Sequence, residues 1–410
     1  MNTASSPTSN GRDLRLDFFR GLAMLIIYTA HIPRNHWWNF IPARFGLSDA
    51  AEMFVFLSGF AAAIAFGGTF RRHGMFVGTA RIGYRCWQLY VAHLGLFFAI
   101  ATLLVVANRI LGTAQTNYIN SLNLGFFFSE TETALVGLLT LTYIPNYFDI
   151  LPMYIGVLAL TPVVVGLSRL DVRLSIVFCV SLYLLNWTLD WGLPADPRND
   201  REWFFNPLAW QLIFFTGFAL SAGWIRPPPL DWRLIIPCAI FVILCVPLGR
   251  WQIYTQYEWI KEFRDWLRPG MFGFSKTDFA LLRYLHFLAL AYLAVCFLKG
   301  REHWLGNRWL APIVKTGQQA LPVFLSSMLL SRVAGMVLDE LDRNDNTWAL
   351  VNIGGWLILM GLAYVYGWFK SNPWRRRPTI AEDPRDQLQV DPGRDGAWRP
   401  AELPSRAVET

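Results

Sequence analysis

Long apolar runs alternate with short polar connections from Phe18 to Phe369. They lie near Phe18–Ile32, Met53–Phe66, Trp87–Ala107, Leu151–Leu167, Leu174–Trp191, Pro207–Trp224, Leu234–Leu248, Ala280–Leu298, Pro312–Leu338 and Trp348–Phe369. Several approach or exceed the roughly 18–20 residues that a helix needs to cross a bilayer. Lipid offers the backbone no hydrogen-bond partners, so such runs become helices. The pattern predicts an all-α, polytopic integral membrane helix bundle of about ten transmembrane helices. A further run, Ala134–Ile144, is too short to cross and is expected to be re-entrant or interfacial. The first two runs are short with polar ends, which suits helices inside a bundle better than helices against lipid.

Outside the runs the chain is polar. Residues 1–17 read as an N-terminal tail, 18–370 as one transmembrane domain, and 371–410 as a disordered tail rich in Arg, Asp, Pro and Gly. No small-residue cleavage site closes the first run, which reads as a retained anchor.

Composition strengthens this picture. Only 16% of the 410 residues are charged and 54% are hydrophobic, whereas a soluble domain carries about a quarter charged residues. The formal net charge of +7 is explained by basic loops on the cytoplasmic side, and no nucleic-acid partner is expected. Arg71, Arg72, Arg81 and Arg85, then Arg169 and Arg173, Arg226 and Arg233, and Lys299, Arg301 and Arg308 fall on one set of loops. That set belongs inside, so both termini are expected to be cytoplasmic. The long loop from Arg250 to Asp278, with Lys261, Arg264, Arg268 and Lys276, is the outer exception. Its aromatics, Trp251, Tyr254, Tyr257, Trp259 and Trp266, read as an interfacial belt or a sugar-stacking face. The five cysteines show no CxxC or metal-ligand spacing, and no metal site is expected.

Arg20 and His31 are the ionisable residues that stand out in the first run. Eleven helical steps make almost three turns, so both side chains share one face roughly 16 Å apart. Two readings are open: an arginine and a histidine reaching opposite interfaces, or a polar channel through the bundle. Glu52 opens the second run on the His31 side. It either orients the imidazole, as carboxylates do in triads, or marks the membrane edge. The adjacent Ser58-Gly59 pair suits close helix packing better than a nucleophile, because no GxSxG surrounds it. Arg81 and Arg85, four residues apart, share a helical face and suit either phosphate recognition or topology determination.

These segments resemble a known family. Arg20 and His31 match the arginine–ten residues–histidine motif of the membrane acyltransferase-3 superfamily, and Glu52 to Phe60 resembles its acidic–FF–x–LSGF segment, with Met53 in place of an aromatic. Arg81 and Arg85 resemble its R-x-x-x-R stretch. The segments LRLDFFRGLAMLIIYTAHIP, LTYIPNYFDILPMY, RYLHFLALAY and GQQALPVFLSSMLLS narrow the likeness to the OpgC-type proteins that succinylate osmoregulated periplasmic glucans.

The resemblance covers most of residues 12–370 and implies an acyltransferase of the bacterial inner membrane. It would move a succinyl group from cytoplasmic succinyl-CoA to hydroxyls of a periplasmic glucan. Acyl-CoA is then a donor substrate, with no tightly bound cofactor, and glucan-synthesis proteins are candidate partners beside membrane lipid. His31 is expected as the base, with Arg20 and Glu52 completing the catalytic set. Arg20, Arg81 and Arg85 would hold CoA, and His36 and His286 are candidate acceptor contacts. Transfer of acetyl or another short acyl group, or a transporter without chemistry, are the alternatives.

Overall fold

A computed structural model describes residues 13–112 and 117–374. The chain divides into two units, Met1–Gly367 and Trp368–Thr410, and the packing and cavities below belong to the first.

Local capping chemistry sets the helix starts. Asp13 accepts the Arg15 N–H and opens α1, Leu14–His31. The helix thus begins four residues before the first apolar run, which shortens the expected N-terminal tail. The rest of that tail and the C-terminal tail beyond residue 374 lie outside the described residues. Asp49 opens α2, Ala50–Ile110, through a reciprocal capping box with Glu52. Two short helices, α3 (Gly125–Ser129) and α4 (Thr131–Thr140), precede α5, Ile150–Leu170. Asp171 caps α6 (Val172–Leu189), Asn206 caps α7 (Pro207–Ser221) and Asp231 caps α8 (Trp232–Gly249). The short α9 (Trp251–Tyr254) and α10 (Glu258–Leu267) fill the long loop before α11, Leu281–Leu298. The run from Pro312 divides at Gln319 into α12 (Ala311–Gln318) and α13 (Ala320–Glu340), and α14 spans Asp345–Lys370.

Among the described residues the chain is all-helical, and seven helices are long and apolar enough to span a membrane. The protein is a polytopic helical membrane protein. The expected ten spans all fall on helices, but the count by length and hydropathy is smaller for physical reasons. α7 has 15 residues, α1 carries charge, and α2 is counted once although it bends. The bend is at Gly74, whose φ of 80° breaks the helical path and favours a residue without Cβ. Arg81 donates across this bend to the Thr69 hydroxyl. The Ala134–Ile144 run folds as the ten-residue α4 plus a buried turn, with Ala134, Leu138, Tyr143 and Ile144 inside the core.

Apolar helices in lipid associate chiefly by close packing, for which small residues are needed. A methyl group on Gly59 would strike the Phe214 carbonyl on α7, and one on Gly217 would strike the Phe56 carbonyl on α2. Gly21 and Gly317 make the same reciprocal contact between α1 and α12. The first pair is the close packing expected of Ser58-Gly59. Overpacking a tight contact costs about 1–3 kcal/mol. Gly59→Val should therefore lower the melting temperature in detergent, whereas Gly83→Ala, where nothing lies within 4 Å, should leave it unchanged or raised.

Candidate active site

His31 ends α1 beside a cavity of about 540 Å³. Its walls come from α1, the first turns of α2, the Asn146–Ile150 segment, Arg201–Phe205, and Lys276–Thr277. His31 Nδ1 lies 2.7 Å from the Ile27 carbonyl oxygen. A carbonyl only accepts, so Nδ1 carries the proton and Nε2 of the neutral ring keeps its lone pair. Such a nitrogen can accept a proton from a hydroxyl placed in the cavity.

Two neighbours hold this ring. Tyr147 packs edge-on against the imidazole with centroids 5.2 Å apart. Its backbone is left-handed, with φ 72°, a conformation costly for a bulky residue and common at functional sites. Arg332 of α13 donates from Nη2 to the His31 carbonyl at 2.5 Å and lies 5.1 Å from the Tyr147 ring centroid. The buried guanidinium thereby satisfies one of the carbonyls left open at the end of α1. Among the described residues, Arg332 has no carboxylate partner.

Glu52 occupies a different place from the one its sequence position suggested. Its carboxylate is buried and accepts from Arg283 Nε at 2.8 Å and Nη2 at 2.6 Å. The other oxygen accepts the Asp49 N–H at 2.7 Å. The imidazole is instead oriented by a main-chain carbonyl. Beside this pair, Lys276 bonds Asp49 at 2.6 Å. Burial alone would raise the Asp49 pKa, but Lys276 and Arg283 hold it well below the usual carboxylate range. Asp49 and Lys276 both line the cavity, as do Arg44 and Arg201.

The remaining candidates divide by location. Arg20 and Arg85 line a second pocket of about 30 Å³ with Ser58 and Tyr154. Arg81 is committed to the bend at Gly74 through Thr69 and does not line that pocket. His36 stacks on Trp348, with centroids 4.7 Å apart, and is not part of the cavity wall. His286 is buried against the segment before α2, where Nδ1 accepts from the Ser48 N–H at 3.3 Å and lies 2.7 Å from its hydroxyl. It supports the cavity without lining it. Among the described residues no group of His, Cys, Asp or Glu gathers as a metal site requires.

Asp149 is a cavity residue that sequence reading passed over. It precedes α5 and accepts the Phe204 N–H at 3.1 Å. Burial pushes its carboxyl up to about 6, against the opposing pull of the Phe204 N–H and Arg201. The motif PNYFD held the signal, because it sets an acid and a polar turn directly before an apolar helix. Arg332 and Arg283 were visible as arginines inside apolar runs, which ordinarily mark function or pairing.

Two outcomes follow from this geometry. Asp149 is harder to ionise in the fold than unfolded, so its charge subtracts stability above about pH 6 and none well below 3.8. Asp149→Asn should therefore raise the melting temperature at pH 8, with the gain fading as the pH falls through 6 towards 4. Removing one partner of a buried ion pair costs about 3–5 kcal/mol. Arg283→Gln should thus destabilise strongly in thermal unfolding, and adding Glu52→Gln should recover much of the loss.

Comparison with known proteins bears out the OpgC-type likeness. No curated protein matches the chain, and no solved structure does. A family model described as OpgC protein matches residues 12–371, and the chain belongs to the OpgC family.

Proposed function

We propose that the protein is an acyl-CoA-dependent O-succinyltransferase acting on periplasmic glucans. OpgC membership points to a transferase in the modification of osmoregulated periplasmic glucans. The observation that carries the finer reading is the pairing of two chambers. One presents His31 with a free Nε2 lone pair, and the adjoining pocket presents Arg20 and Arg85.

In this reading both termini are cytoplasmic, the Arg20 pocket faces the donor and the His31 cavity faces the acceptor. Guanidinium groups pair well with phosphate, so Arg20 and Arg85 anchor CoA while its acyl arm points into the bundle. The glucan hydroxyl gives its proton to His31 Nε2 as its oxygen attacks the thioester carbonyl carbon. The resulting oxyanion is stabilised by donors lining the cavity. The C–S bond then breaks, the imidazolium returns the proton to the departing thiolate, and the products are a glucan ester and free CoA. CoA never crosses the membrane. Direct transfer is favoured because, among the described residues, no serine or cysteine lines the His31 cavity.

Acyl-group analysis of periplasmic glucans from cells with and without the protein tests this. Succinyl esters should appear with the wild type. They should fall by about 10²–10⁴-fold with His31→Ala at equal membrane abundance, the usual worth of a general base. Unchanged glucans in cells carrying the wild type would remove the glucan reading and bring forward acetyl transfer or transport.

A further inference from the structure

Phe54 and Phe324 belong to the walls of both chambers. Phe54 lies on the first limb of α2 and Phe324 on α13. Both side chains are buried, and their rings stack with centroids 6.2 Å apart and planes inclined by 19°. On one side of this stack lie His31, Asp49 and Lys276, and on the other Arg20, Ser58, Arg85 and Tyr154. Each chamber thus has polar groups in its wall, and the two chambers share these two rings.

We propose that the Phe54–Phe324 stack is a hydrophobic seal between the two chambers, and the gate that an acyl-bearing arm must part to reach His31. The second half of this statement rests on the acyl-transfer reading; the first does not. A pair of apolar rings suits the task physically. An apolar constriction excludes water and ions without any charged group, so a protein with hydrated chambers towards both faces does not leak. The rings can turn aside for a slender apolar arm, because no hydrogen bond ties them in place. A polar or charged pair would instead bind the carbonyl of the passing arm and retain it.

The test uses the full chain in sealed vesicles of both orientations. Ser58→Cys places a thiol in the Arg20 chamber, and a charged, membrane-impermeant thiosulfonate is added from outside. Labelling at position 58 is read by peptide mass spectrometry, so the five native cysteines serve as internal references. With both rings intact, position 58 should label from the Arg20 side only. With Phe54→Ala or Phe324→Ala, labelling from the His31 side should rise about tenfold or more, as expected when an apolar constriction wets. The double variant in liposomes should also leak small cations where the wild type stays tight. Equal labelling of position 58 from the His31 side with the rings intact would overturn the seal. So would labelling and ion leak that stay at the wild-type level in both alanine variants.

Neither readout requires acyl transfer, so the seal is judged apart from the enzymatic reading. The gate is judged by turnover. Phe54→Trp should slow acyl transfer several-fold with donor KM unchanged, since the arm binds at the Arg20 side before it meets the rings. A change in KM alone would show that the rings form part of the donor site and would overturn the gate.

Discussion

The ion pair between Arg283 and Glu52 fixes the frame on which the cavity is built. Two guanidinium nitrogens bond one carboxylate oxygen, and the other oxygen caps the start of α2. A carboxylate buried in a helix bundle is tolerable only with such complete satisfaction. The same contact joins the first turn of α2 to α11, and so sets where Asp49, Phe54 and Lys276 stand around the cavity. Lys276 follows from the arrangement, because it neutralises the second carboxylate of the cap. A basic residue on a loop expected to face outward is thereby explained by pairing rather than topology.

His31 is prepared by different means. Its protonation pattern comes from a carbonyl of its own helix, which costs no second buried charge. Arg332 and Tyr147 then hold the end of α1 and the face of the ring from two other elements. The consequence is an imidazole whose direction is set by backbone geometry, with the neighbouring carboxylates left to shape the cavity. Aromatic pairs of this kind contribute about 0.5–1.5 kcal/mol beyond burial, enough to select one ring orientation among several.

The helices were legible because lipid admits few alternatives for an apolar run, and Asp13, Asp49, Asp171, Asn206 and Asp231 announce their starts. The spacing of Arg20 and His31 put both on one face of α1, and each lines a cavity, though not the same one. The partners of Glu52 were not legible. Arg283 lies 231 residues away, and no local period links a cap on one helix to an arginine on another. Arg81 and Arg85 share a helical face, yet the bend at Gly74 brings Thr69 within reach of Arg81 and leaves Arg85 to the pocket. His36 was drawn into the expected site by its position after the first run and His286 by the likeness of RYLHFLALAY, but they pack against Trp348 and Ser48.

The bend at Gly74 also bears on how the protein is made. The two limbs of α2 meet at one residue, with no intervening loop to delay the second behind the first. Arg71 and Arg72 beside the bend are exposed and charged, so this tip belongs in water rather than in hydrocarbon. The bend therefore belongs at a polar surface, with each limb running away from it. The first limb, with Ala50, Ala51 and Phe54 of the cavity wall, is synthesised before α5 and α13, which supply Ile150 and Phe324 to the same wall.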